Sequence, residues 1–243
     1  SWLFCCLILT AAWGCVAEES LPPPPQLPTP AAAASQAPLV PAAPQIAATS
    51  YILMAAETGE ILVEKNAMQE LPPASLTKMM TSYALDYEIA KGNVSFDDLV
   101  PISVQAWKTG GSKMFVREGT QVRLENLLRG VHLQSGNDAS IAVAEYLAGS
   151  EGAFASIMNQ HAARLGMAHS NFLNATGLPD ENHYSSARDL AILARAIIYD
   201  FPQQYPIYAE KEFTYNNIRQ PNRNLLLWRD KSVDGLKTGH TAE

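Results

Sequence analysis

The pattern of apolar and polar positions changes character twice along the chain. Ser1 to Ala17 is almost continuously apolar, and the first charge is Glu18. From there to about Ala47, Pro, Ala, Ser and Gln replace any periodic signal. Patterned sequence begins near Ser50. The apolar run Tyr51–Ala55, the turn Glu57-Thr58-Gly59-Glu60 and the run Ile61–Glu64 predict a β-hairpin. Pro72-Pro73 punctuates the chain, and the spacing predicts a helix from Ser75 to about Lys91, stopped by Gly92-Asn93. Its Met79, Met80, Tyr83, Ala84, Leu85 and Tyr87 are expected core. Residues 97–123 show no clear period and are expected to be irregular. Leu124, Leu127, Leu128 and Val131 share one face of a helix over 124–133. Further helices are expected over Asp138–Leu147, Glu151–Leu165 and Ser186–Tyr199, the last ended by Pro202. Phe213–Tyr215 and Leu225–Trp228 suggest strands about a polar turn at 219–222, and Gly235–His240 suggests a strand entering a site. Strands at both ends with helices between them predict an α+β domain, with one antiparallel sheet built from both ends and an inserted helical region.

The first apolar run is short for a membrane span and long enough for the core of a signal peptide. Residues 1–17 are therefore expected to be an export leader that lacks its positively charged start, with cleavage before Glu18. Ala12-Trp13-Gly14-Cys15 is only loosely lipoprotein-like, because Trp13 fits poorly. Residues 18–47 carry nine of the sixteen prolines and are expected to be an extended linker. The folded domain is then 48–243. All three cysteines, Cys5, Cys6 and Cys15, lie in the leader, so the exported body offers no disulfide and no thiolate. The five histidines lack metal-ligand spacing, and no metal or cofactor is expected. A net charge of −7 without a basic tract argues against nucleic acid as partner. Export with a thiol-free body suits the bacterial periplasm or the outer face of the cytoplasmic membrane.

Ser75 and Lys78 are three apart and share one helix face, the Ser75 side near the unsatisfied N–H groups of the helix start. That is what a nucleophile and its base require. Alone, S-x-x-K is weak. It arises by chance about once in a chain of this length, and a serine capping an exposed helix explains it as well. Ser135-Gly136-Asn137 and Lys237-Thr238-Gly239 follow in order, and the ordered trio is far more specific. A second K-T-G, Lys108-Thr109-Gly110, precedes the S-x-N element, follows no strand, and is set aside.

The trio is the signature of penicillin-binding proteins and class A β-lactamases. The surrounding text, Leu71–Thr81, Gln134–Ala139, Asn174–Pro179, His183–Asp189 and Asp234–Thr241, resembles the low-molecular-mass D-alanyl-D-alanine carboxypeptidases over about Ala48 to Glu243. The resemblance implies a β-lactamase/transpeptidase-like fold and a peptidoglycan stem peptide ending in D-Ala-D-Ala as substrate, with β-lactam antibiotics as covalent inhibitors. It implies Ser75 as acylated nucleophile, Lys78 as its base, and Ser135 as proton relay to the leaving amine. Asn137 would orient Lys78 and the substrate amide, Lys237, Thr238 and Gly239 would receive the substrate carboxylate, and the N–H groups of Ser75 and His240 would form an oxyanion hole. A free lysine titrates near 10.4, so Lys78 needs a drop of about three units to act as a base at neutral pH. Burial and Lys237 would both push that way. Family members continue past the K-T-G strand with further strands and a helix, and often with a β-domain and a membrane-associating amphipathic helix. The sequence is thus expected to be the front part of a longer protein.

Two rivals share the trio. A class A β-lactamase needs a glutamate that activates the deacylating water. Glu181 lies in about the right region, but Asn182-His183-Tyr184 follows it, and Gly136 stands where Asp is usual. A penicillin-recognising sensor or cell-wall binding module would acylate without turnover. His183 is expected to be a loop histidine bonded to backbone, and Asp180 and Glu181 solvated charges.

Overall fold

The expected hairpin forms from β1 (Tyr51–Met54) and β2 (Ile61–Lys65), with Tyr51 opposite Lys65 and Leu53 opposite Val63. The computed structural model describes residues 43 and 45–240. The expected leader and most of the expected linker therefore lie outside the described residues.

After Pro72-Pro73 the chain makes a 3-10 turn, Ala74–Thr77, that runs directly into α1 (Lys78–Ala90). Ser75 thus precedes the α-helix and does not occupy its first turn. The reason is local: Ala74 takes a left-handed φ of 48° under the loop at Gly177, which excludes α-geometry there. Residues 97–123, expected to be irregular, contain a hairpin and a helix. β3 (Leu99–Pro101) pairs antiparallel with β4 (Gln121–Arg123), and α2 (Val104–Lys108) is capped by Ser103, whose hydroxyl accepts from Ala106 N. α3 (Leu124–Leu133) and α5 (Glu151–Leu165) match their apolar periodicity, and α4 (Asn137–Ala148) and α6 (Ala187–Asp200) do so within a residue or two.

The C-terminal expectations need correction. β5 (Glu212–Tyr215) pairs with β6 (Ile218–Pro221), so the stretch expected as a turn is largely strand. Leu226–Arg229 is helical (α7), where a strand was expected. Two asparagines impose this. Asn222 Oδ1 accepts from Asn224 N, and Asn224 Oδ1 accepts from Leu226 N, nucleating a turn. Residues 235–240 run without regular structure, and no sheet pairing forms there among the described residues. The strands form three separate two-stranded sheets among those residues.

Two apolar clusters flank α1 and α4. One gathers Met80, Phe154, Met158, Phe172, Leu193 and Ile197 beneath α5 and α6. The other gathers Leu85, Val100, Val122, Leu127, Leu128 and Val143 beneath α3 and the β3–β4 hairpin. α4 is buried from Asn137 to Ala144, so its first turn is fixed from all sides. That turn carries Asn137 into the cleft described next.

Candidate active site

Three segments far apart in sequence meet at the Ala74–Thr77 turn. They are the loop before α4, the loop 174–179, and the stretch 235–240. A cavity of about 360 Å³ is lined by Ser75, Gly111, Ser112, Asn137, Thr176, Gly177 and His240, among others.

Lys78, with no exposed surface, lies behind this lining and bonds to three of its residues. Its Nζ lies 3.3 Å from Ser75 Oγ, 2.8 Å from Asn137 Oδ1 and 2.5 Å from Thr176 O. Asn137 Nδ2 donates to Gly110 O at 2.8 Å, which fixes the amide orientation and turns Oδ1 toward the lysine. Asn137 Oδ1 and Thr176 O can only accept. The ammonium can donate to these two and to Ser75 Oγ; once it loses a proton, its two N–H bonds satisfy the two carbonyl oxygens and its lone pair faces the Ser75 hydroxyl. Burial lowers the Lys78 pKa to about 7, with Lys237 and Arg223 pushing the same way and Asp138 opposing.

A second pair stands beside the first. Lys237 Nζ donates to Ser135 Oγ at 3.0 Å and to Thr238 O at 2.8 Å. Burial, then Arg223, lowers the Lys237 pKa also. Ser135 itself is buried in a left-handed conformation at φ 59°, a cost of about 1 kcal/mol or more that the surrounding contacts must hold. Gly239 lies against Leu76 and Pro73, at the side of the Ser75 turn. Thr238 and Gly239 are exposed, as is His240, which lines the cavity with Ser75.

Of the eight expected site residues, Ser75, Asn137 and His240 line the cavity, Lys78 bonds Ser75 and Asn137, Lys237 bonds Ser135, and Gly239 lies against the Ser75 turn, while Thr238 lies beside Lys237. Several contributors were missed. Asp138 accepts from the N–H groups of Met114, Phe115 and Val116, so the first turn of α4 clamps the loop that carries Ser112. Gly111, at φ 81°, leaves room that a Cβ would fill only 2.6 Å from Asn137 Nδ2. The rejected K-T-G thus supplies a support, through Gly110 O. Arg223 reaches Ser112 Oγ at 2.9 Å and biases both lysines. The only sequence signals were Asp138 at a helix start and the Gly110-Gly111 pair.

His183 does more than expected. Its Nδ1 accepts from Leu173 N at 3.1 Å, so Nε2 carries the proton and donates to Thr77 Oγ1 at 2.7 Å. Thr81 Oγ1 donates to Ala175 O nearby. The 174–179 loop is thereby pinned to the Ser75 turn. Gly177 is required there: at φ 81° an added Cβ would lie 1.8 Å from Ala74 O. Glu181 is exposed, and no carboxylate lines the cavity among the described residues, which removes the group a class A β-lactamase needs.

Comparison with known proteins bears on this geometry. The family model described as D-alanyl-D-alanine carboxypeptidase matches residues 36–243. The D-alanyl-D-alanine carboxypeptidase DacA of Escherichia coli (strain K12) is 48% identical over 210 residues, covering 84% of this chain and 52% of that protein. A solved penicillin binding protein 5 from Haemophilus influenzae superposes with TM-score 0.80 at 47% identity, covering 82% of this chain and 59% of that one. Penicillin binding protein 6B from Escherichia coli gives 0.80 at 44% identity, covering 84% and 67%. The chain spans about half the length of the curated relatives it matches. These solved neighbours bear out the expected fold class, although residues 235–240 do not join a sheet among the described residues.

Proposed function

Because this chain belongs to the D-alanyl-D-alanine carboxypeptidase family, we propose that it removes the terminal D-alanine from peptidoglycan stem peptides through an acyl-enzyme on Ser75. The observation that carries the reading is the buried Lys78 amine, anchored by Asn137 Oδ1 and Thr176 O and lying 3.3 Å from Ser75 Oγ. Ser75 Oγ attacks the carbonyl of the penultimate D-alanine while its proton passes to Lys78. The N–H groups of Ser75 and His240 receive the oxyanion, a contribution of about 3 kcal/mol per donor in other acyl-transfer enzymes. The Ser135–Lys237 pair delivers a proton to the leaving amine, and Lys237 and Thr238 hold the D-alanine carboxylate. Water then releases the shortened peptide. A β-lactam carries a strained amide and a carboxylate in similar relation, so it acylates Ser75 in the same way.

On this reading residues 1–17 direct export and residues 18–47 hold the domain away from its attachment, in the periplasm or at the outer face of the cytoplasmic membrane. Membrane attachment is assigned to segments outside the described residues, none of whose helices is long and apolar enough to cross a bilayer. The test is D-alanine release from a synthetic peptide ending in D-Ala-D-Ala by the full-length protein. Turnover that disappears in Ser75→Ala is expected. Stoichiometric penicillin labelling without peptide turnover would favour the sensor reading instead.

A further inference from the structure

A second cluster of buried polar groups lies behind the cleft. Along α1, Lys78, Ser82 and Asp86 recur every fourth residue on one buried face. Ser82 donates to Lys78 O at 2.9 Å. Asp86 is 1% exposed, and neither carboxyl oxygen has a partner among the described residues. Tyr208, from the 3-10 turn Tyr205–Ala209, is equally buried, and its hydroxyl has no partner there either. That hydroxyl lies near Asp86 and near Ser82, but Ser82 gives its own proton to Lys78 O and makes no full hydrogen bond with it. His132, in the last turn of α3, is 3% exposed and leaves both ring nitrogens unpaired. Its ring lies 3.9 Å from that of Tyr208.

Buried polar atoms are almost always satisfied, by protein or by ordered water. A carboxyl, a phenol and an imidazole together supply the donors and acceptors that a buried water needs. The cluster also backs onto the catalytic pair. His132 precedes Ser135 by three residues and feels the charge of Lys237. Tyr208 packs in one apolar cluster with Leu236 and lies beside Gly235, the two residues before Lys237.

We propose that Asp86, Tyr208 and His132 enclose a site for buried water, and that this hydrated floor positions Leu236 and hence Lys237 against Ser135. None of the three lines the cleft, so they are positioning residues. Burial raises the Asp86 pKa to about 8, so its carboxyl is neutral at neutral pH and can donate as well as accept. Burial likewise keeps His132 neutral, its pKa lowered to about 3, with Lys237 adding to the effect. The positioning half rests on the reading of Lys237 as the carboxylate-binding group.

The test is a near-atomic crystal structure of the full-length protein beside Asp86→Asn and Asp86→Leu. Water bonded to both residue 86 and Tyr208 is expected in the wild type and the Asn variant, and absent from the Leu variant. In the Leu variant the Lys237–Ser135 contact lengthens, KM for a D-Ala-D-Ala peptide rises several-fold, and kcat falls with it, because the same pair relays the proton to the leaving amine. If Asp86→Leu does not fold, Tyr208→Phe, which removes only the hydroxyl, takes its place. A dry wild-type cluster would overturn the proposal, as would a Leu variant with unchanged Lys237–Ser135 contact and KM. Absence of any peptide turnover would contradict the proposed function alone, because water density and the Lys237–Ser135 contact are read independently of it.

Discussion

At the scale of single residues, Lys78 and Asp86 are a matched contrast on one helix. Both are driven toward neutrality by burial, one as an amine and the other as an acid. For Lys78 the consequence is catalytic. Acylation should fall on the acid side with an apparent pKa of about 7 as the amine protonates. Lys78→Arg keeps the charge and cannot deprotonate, so stopped-flow acylation should drop by about 100-fold or more. Near-normal acylation in that variant would rule out the base role. For Asp86 the consequence is stability. Its folded pKa of about 8 exceeds the ordinary carboxyl value of 3.8, so its contribution is most favourable below pH 4 and is lost as pH rises to 8. Asp86→Asn should therefore match the wild type near pH 4 and become progressively more stable up to pH 8. The divergence is at most about 1.4 kcal/mol per pH unit. Parallel urea titrations across that range check it, and identical pH slopes would contradict the buried, neutral carboxyl.

At the scale of elements, the cleft depends on clamps between loops and helix ends. Asp138→Ala would strand three backbone N–H groups and release the loop that supplies Gly110 O to Asn137. We expect a loss of roughly 3 kcal/mol in denaturant unfolding together with slower penicillin acylation. Gly177→Ala should be comparably damaging, since the new Cβ would collide with the Ala74 carbonyl beside Ser75. Wild-type stability and acylation in that variant would show that the 174–179 loop does not abut the Ser75 turn. The same contacts explain what sequence could and could not reveal. α3 and α5 were legible because apolar residues recur at helical spacing over ten and fifteen residues. β3 and β4 were not, because three residues each are too few to display alternation. Leu226–Arg229 has an apolar, strand-like composition, and the asparagine turns that make it helical act through side chains that propensity does not count.

At the scale of the whole molecule, the site is where two apolar clusters and three distant segments converge. α1 and α4 contribute to both clusters, so damage to either should be felt in the cleft. Phe154→Ala, in a fully buried position outside the cavity lining, should cost about 3–5 kcal/mol in unfolding free energy and lower the yield of acylable protein, without altering the pH dependence of what remains. An altered pH profile would mean that the clusters tune the site directly. The ordered trio at Ser75, Ser135 and Lys237 made the reacting groups legible, because chemistry fixes their identity. Thr176, Arg223 and Gly110 stayed hidden because they act through a carbonyl, a distant charge and a backbone support, which constrain residue type weakly. The central claim is that a neutral Lys78 activates Ser75 for acylation. The most direct measurement is intact-mass and peptide mapping of the full-length protein with a penicillin across a pH series. A single adduct on the Ser75 peptide is predicted, forming at a rate that rises through about pH 7 and absent from Ser75→Ala. An adduct elsewhere, or a rate flat from pH 5 to 9, would contradict it.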